Sequence, residues 1–201
     1  MNKANNPQLW VVAGPNGAGK STLVARHAFA SQIPMVNPDE IARRIDPTRR
    51  DETAVIARAG REAVLARKAL LEEGRSFGIE TTLTGRGEIQ LMQQARAQGY
   101  KVNLVYVGIA DPMQSNTRVA FRVSRGGHDV PESDIMRRFD RSLSNLPEAI
   151  KAADRAFVLD NSARQYRLLF SLDKENVRFV SKDLPAWSKE ALSKAGVSLQ
   201  G

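Results

Sequence analysis

The run Gly14-Pro15-Asn16-Gly17-Ala18-Gly19-Lys20-Ser21-Thr22 fills the pattern G-x-x-x-x-G-K-[ST] without a substitution. Such a run serves one kind of chemistry. Its glycines let successive backbone N–H groups curl around anionic oxygens, and the helix that follows adds the partial positive charge of its first turn. Lys20 is then expected to reach the β- and γ-phosphates of a nucleoside triphosphate, with the Ser21 hydroxyl on Mg²⁺. The flanks agree. Leu9-Trp10-Val11-Val12-Ala13 reads as a short apolar strand and Ser21–Arg26 opens a helix.

A phosphate loop identifies a ligand, not a reaction. Transfer of the γ-phosphate to an acceptor also needs a carboxylate base, contacts for the acceptor and cations that close over the moving group. Asp39 lies just past the apolar Ile33-Pro34-Met35-Val36 and reads equally as that base or as the N-cap of a helix over Glu40–Ile45. Glu80-Thr81-Thr82-Leu83 offers one carboxylate and two hydroxyls, suited either to an acceptor's hydroxyls or to a self-capped turn. Asp111 reads as the cap of a helix with Pro112 at its first position, in preference to a water-mediated Mg²⁺ contact. Asp160-Asn161 either borders the nucleotide's base or makes a turn.

Arg118, Arg122 and Arg125 fall on one helix face, Gly126-Gly127 interrupts the helix, and Arg137-Arg138 follow on the next one. Residues 118–141 therefore read as a hinged lid that carries arginines to phosphates. The competing reading is a solvated basic face with local pairs such as Asp134 to Arg138, worth a few tenths of a kcal/mol.

The elements that must position these groups alternate along the chain. Strands are expected at Leu9–Ala13, Ile33–Val36, Ser76–Glu80, Lys101–Ile109 and Arg155–Leu159, with a terminal pair at Tyr166–Leu172 and Val177–Val180. Helices are expected from the phosphate loop to Ala30, over Glu40–Ile45, over 51–73 up to Gly74, from Gly87 to Gln98, over Met113–Ser124, from Pro131 to Leu146, and over Trp187–Ala195. This order predicts an α/β fold of the P-loop NTPase, nucleotide-kinase-like kind: one domain over 1–201, a mostly parallel sheet, helices on both faces. Ligands gather at the carboxyl ends of such strands, so the phosphate loop, Asp39, Glu80, Asp111 and Asp160 should share one rim.

Composition narrows the class further. There is no cysteine and there are only two histidines, which leaves no disulfide framework, thiolate site or His-rich metal site. No apolar run is long enough for a membrane span, and residues 1–6 do not read as a signal peptide, so the expected compartment is the cytoplasm. The net charge of +8 is carried largely by arginines spread through helical segments rather than by a basic tail. That favours a phosphate-rich small substrate over nucleic acid, because the planar guanidinium clamps phosphate and no aromatic-rich basic surface accompanies it.

Taken together, Gly14–Thr22, Asn37-Pro38-Asp39-Glu40-Ile41, Glu80-Thr81-Thr82-Leu83, Arg122-Val123-Ser124-Arg125-Gly126-Gly127-His128-Asp129-Val130-Pro131, Arg137-Arg138-Phe139 and Ser144-Asn145-Leu146-Pro147 resemble the zeta-toxin family of P-loop kinases. The resemblance spans most of 9–162, and the Gly-Gly-His-x-Val-Pro stretch makes it fairly specific. It implies transfer of the γ-phosphate of ATP or GTP, with Mg²⁺, to a hydroxyl of a UDP-activated amino sugar such as UDP-N-acetylglucosamine, and a possible antitoxin partner. By motif position, Asp39 matches the base, Lys20 the loop lysine, Glu80 and Thr82 the sugar contacts, and Arg125 and Arg138 the arginines on the transferring phosphoryl group. The chain departs from the family in being short, with little room for the insertions that shape the sugar pocket, and in containing no antitoxin segment. The acceptor therefore stays open, with a nucleoside, an antibiotic or a nucleic-acid end as alternatives.

Overall fold

A computed structural model describes residues 6–26, 32–47, 52–123, 132–163 and 165–198. Seven strands form one sheet: β1 (Gln8–Ala13), β2 (Met35–Val36), β3 (Phe77–Thr81), β4 (Lys101–Gly108), β5 (Arg155–Asp160), β6 (Arg167–Asp173) and β7 (Asn176–Val180). Their spatial order is β2-β3-β1-β4-β5-β6-β7. The first five strands in that order run parallel, and β6 and β7 close the edge as an antiparallel pair. The expected α/β class with a mostly parallel sheet is the one observed.

Why β1 and β4 sit at the centre follows from their side chains. Both faces of a parallel sheet are covered, so such strands are apolar throughout. Leu9, Val11, Ala13, Leu104 and Tyr106 point into one core, whereas Val12, Val105 and Val107 point into the other. Helices supply the cover: α1 (Lys20–Arg26), α2 (Pro38–Ile45), α3 (Glu52–Glu72), α4 (Gly87–Ala97), α5 (Pro112–Val123), α6 (Glu132–Ala152) and α7 (Ala186–Ala195).

Helix α6 differs from expectation. It was expected to end at Leu146, before Pro147, yet it continues to Ala152 with the proline inside it. A proline in a helix interior costs about 3 kcal/mol. Continuing the helix past the proline buries Ala149, Ile150 and Ala152. Ile150 alone contributes about 1.5–3 kcal/mol, and with the two alanines this is comparable to the cost of the proline. The buried Tyr106 hydroxyl, 3.0 Å from the Ser142 hydroxyl, ties α6 to the centre of the sheet.

The parallel strands deliver their carboxyl ends to one rim, as the alternation predicts. β1 runs into the phosphate loop, β2 into Asn37 and α2, and β3 carries Glu80 and Thr81 as its last residues. The Gly126-Gly127 hinge, with Arg125 and the rest of 124–131, lies outside the described residues, so the lid expectation has no structural counterpart here. Among the described residues, no helix is long and apolar enough to cross a membrane.

Candidate active site

The phosphate loop is held in a conformation that side chains resist. Gly14 has φ 140°, and a Cβ there would come within 2.1 Å of the Val107 carbonyl oxygen on the neighbouring strand. Gly19 has φ 96°, and its Cβ would lie 2.6 Å from Asn161 Nδ2 and 2.8 Å from Tyr166 Oη. Those two groups have a function of their own. Asn161 Nδ2 donates to the Ala18 carbonyl at 2.8 Å, Tyr166 Oη donates to the Gly19 carbonyl at 2.7 Å, and Ser115 Oγ donates to the Asn16 carbonyl.

A peptide unit is planar and trans, so a C=O and the following N–H point in opposite directions. Anchoring the carbonyls of Asn16, Ala18 and Gly19 on the scaffold therefore turns the N–H groups of Gly17, Gly19 and Lys20 away from those anchors, as an anion cradle requires. Burial pushes the Tyr166 phenol up, opposed by the charges of Arg26 and Arg118, so it stays a neutral donor. Replacing Tyr166 with phenylalanine deletes one anchor. The expected result is about a 2- to 10-fold loss of affinity for an ATP analogue in an equilibrium titration, with the melting temperature little changed.

Around the loop the functional groups are chained together. Lys20 is 8% exposed, and its Nζ donates to the carbonyls of Gly14 at 2.8 Å and Pro15 at 2.9 Å. The Ser21 hydroxyl donates to Glu80 Oε1 at 2.6 Å, and Asn37 Nδ2 donates to Glu80 Oε2 at 3.1 Å. Asn37 Oδ1 in turn accepts the Asp39 N–H at 2.9 Å. Asn37 is thus the N-cap of α2, with Pro38 in its first turn. Asp39 is therefore not the cap, and it lines the same cavity as Lys20 and Ser21.

That cavity measures about 570 Å³, within the usual range for small-ligand sites. Of the expected site residues it gathers Asn16, Gly17, Gly19, Lys20, Ser21, Thr22, Asp39, Glu80, Thr82 and Arg138. Gly14, Pro15 and Ala18 of the loop are not among its lining residues. Arg138 and Arg137 both pair with Asp134, at 3.4 and 2.7 Å, but Arg138 is the one that lines the cavity. Arg125 lies outside the described residues.

Other candidates resolve into structural roles. Asp111 Oδ1 accepts the Met113 N–H at 2.8 Å, the capping reading. Asp160 Oδ1 accepts from both the N–H and the hydroxyl of Ser162, making a turn. Thr81 Oγ1 accepts the Leu83 N–H at 3.0 Å, a self-capped turn, and both Thr81 and Thr82 line the cavity.

For a divalent cation the donor set is small and oxygen-only. No group of three or more His, Cys, Asp or Glu among the described residues would cage a metal. The Ser21 hydroxyl with Glu80 behind it suits Mg²⁺, which keeps waters and shares its shell with phosphate oxygens rather than needing an all-protein cage. Sequence reading named Asn161 only as a base-side or turn residue, and missed Ser115, Tyr166 and, in the cavity lining, Arg67 and Glu88. No local pattern marks any of them, because each acts on a residue at least 21 positions away (Arg67 on Glu88).

Comparison with known proteins bears on the fold that carries this site. An uncharacterized protein of Haemophilus influenzae (strain Rd) is 33% identical over 139 residues, 66% of this chain and 97% of its own length. A chain of the PezAT chromosomal toxin–antitoxin system of Streptococcus pneumoniae superposes with a TM-score of 0.62 at 18% identity, over 98% of this chain and 86% of that one. A chain of the AvrRxo1-ORF1:ORF2 complex with ATP gives a TM-score of 0.74 at 18% identity, over 98% and 67% respectively. At such identities the likeness is one of fold, that of kinase-like P-loop proteins. A family model described as an AAA domain matches residues 9–146, well over half of the sequence, and the chain belongs to that family, AAA_33.

Proposed function

We propose that the chain is a phosphotransferase that moves the γ-phosphate of ATP or GTP to a hydroxyl of a UDP-activated amino sugar, UDP-N-acetylglucosamine in the first instance. The observation that carries this reading is the Asp39 carboxylate, relieved of capping by Asn37 and set in one cavity with Lys20 and Ser21. In the proposed step the acceptor hydroxyl gives its proton to Asp39 as its oxygen bonds to the γ-phosphorus. The bond from phosphorus to the β–γ bridging oxygen breaks, and the nucleoside diphosphate leaves. Lys20 and Arg138 neutralise charge on the transferring group, with Arg125 assigned the same role. Ser21, backed by Glu80, would hold Mg²⁺, which supplies further charge neutralisation when bound. Glu80 and Thr82 are assigned to the acceptor side, Glu80 doing so from its seat on Ser21.

The toxin–antitoxin setting of the PezAT neighbour supports an antitoxin as a protein partner, and a cytoplasmic site of action fits a nucleotide-sugar substrate. The test is incubation with γ-labelled ATP and UDP-N-acetylglucosamine, and in parallel with a bacterial metabolite extract, followed by identification of the labelled product. Label on the amino sugar is the expected result. Label on another metabolite would overturn the acceptor, and ATP turnover without any labelled small molecule would overturn the kinase. Expression in a bacterium is expected to slow growth, and equal growth of a strain carrying an inactive variant would remove the toxin role alone.

A further inference from the structure

We infer that Arg67 forms an anion subsite on the acceptor side of the cavity, and that the acceptor therefore carries a phosphate or carboxylate group beside the hydroxyl that is phosphorylated. The inference rests on the kinase reading above and assigns a residue to the anionic group of its acceptor.

Arg67, on α3, lines the same cavity as Lys20 and Asp39. Its side chain is only 12% exposed, and burial pushes its guanidinium down from the usual arginine range, opposed by the nearby Glu88 carboxylate. An arginine nonetheless stays charged in a protein, so a cation is embedded in the cavity wall. Its compensation is incomplete. Glu88 Oε1 stands 3.7 Å from Nη1, beyond hydrogen-bond length, and Nε is buried with no acceptor among the described residues. A buried donor left unmet is costly, and a guanidinium offers its donors as a planar fork that matches an oxyanion. A small turn of the head would set that fork on an incoming phosphate or carboxylate oxygen.

The neighbours in the wall point the same way. Ala42, Val55 and Ile56 give the acceptor side an apolar surface, with Ile56 48% exposed. Among the described residues four cations line the cavity: Arg67 on α3, Lys20 in the loop, Arg118 on α5 and Arg138 on α6. The simpler role for Arg67 and Glu88, an ion pair that pins α3 to α4, predicts loss of stability on mutation and no effect on the acceptor. The two roles therefore separate by experiment.

Wild type, Arg67→Lys and the double variant Arg67→Gln/Glu88→Gln would each be saturated with Mg²⁺ and a non-hydrolysable ATP analogue. Calorimetric titration would then use UDP-N-acetylglucosamine (phosphate source), D-glycerate (carboxylate source) and uncharged N-acetylglucosamine. Lysine keeps the charge but loses the fork, and the double variant leaves no unpaired carboxylate. Binding of at least one anionic compound, weakened about 10- to 100-fold in both variants with affinity for the ATP analogue unchanged, is the expected result. Which anionic compound responds identifies the phosphate or the carboxylate source. The subsite is overturned if neither anionic compound binds wild type, or if binding is equal in all three proteins while only the melting temperature falls. A γ-labelled product formed from an uncharged metabolite would also overturn it and leave the kinase reading intact, whereas no labelled product from any metabolite would sink the kinase reading itself.

Discussion

Lys20→Ala is expected to lower phosphotransfer from γ-labelled ATP about 10³-fold while the chain still folds. The size follows from electrostatics. A unit charge about 4 Å from a phosphate oxygen, at the effective dielectric of a partly enclosed protein site, interacts by about 4 kcal/mol, equivalent to three decades in rate. In this structure the ammonium sits over the loop on the carbonyls of Gly14 and Pro15, in a residue 8% exposed, so it is already next to where the phosphates would lie. Removing it has two opposed effects on stability. Two hydrogen bonds are lost, but an ammonium no longer has to be kept out of water. A net change of about 1 kcal/mol moves the melting temperature of a domain this size by about 2–4 °C. Activity within 10-fold of wild type, measured on a variant with an intact melting transition, would remove Lys20 from the site.

How much of this site could be read from the sequence depends on how local each constraint is. The phosphate loop was legible because its chemistry is contiguous: glycines at positive φ, a lysine and a hydroxyl follow one another along the chain. The central strands were legible because a buried parallel strand is apolar at consecutive positions, as Val102 and Leu104–Val107 are. Asp39 was not decidable from sequence. A carboxylate at a helix start is both a good cap and a good base, and only the Asn37 side chain, which takes the capping bond at 2.9 Å, removes the first reading. Glu80 was legible as a rim residue but not as the partner of Ser21, 59 positions away. The length of α6 is not legible because a proline is a local signal, whereas burial of Ala149, Ile150 and Ala152 beyond it is a tertiary one. Of the anchors of the loop carbonyls, Asn161 shows in the sequence only as a rim residue of open role, and Ser115 and Tyr166 carry no signal.

The same contrast between local and tertiary constraint sets the second expectation. Asp39→Asn should lower the turnover number about 10²- to 10⁴-fold, the usual loss of a positioned general base, and leave the affinity for nucleotide near wild type. The replacement keeps the shape of the side chain and removes its capacity to take a proton. A fall in activity through misfolding is excluded on energetic grounds. Asn37 caps α2 through its own Oδ1, and its Nδ2 is fixed on Glu80 at 3.1 Å, so the helix start does not depend on Asp39. What the substitution does remove is a negative charge in the first turn, worth about 0.3–1 kcal/mol through the helix dipole. The corresponding fall in melting temperature is at most about 4 °C. A large loss of turnover with so small a loss of stability can arise only if the carboxylate takes part in the reaction. Full turnover in Asp39→Asn, measured with whichever acceptor the wild type labels, would show instead that the hydroxyl loses its proton to another group, and Glu80, hydrogen-bonded to Ser21 at 2.6 Å, would be the next to test.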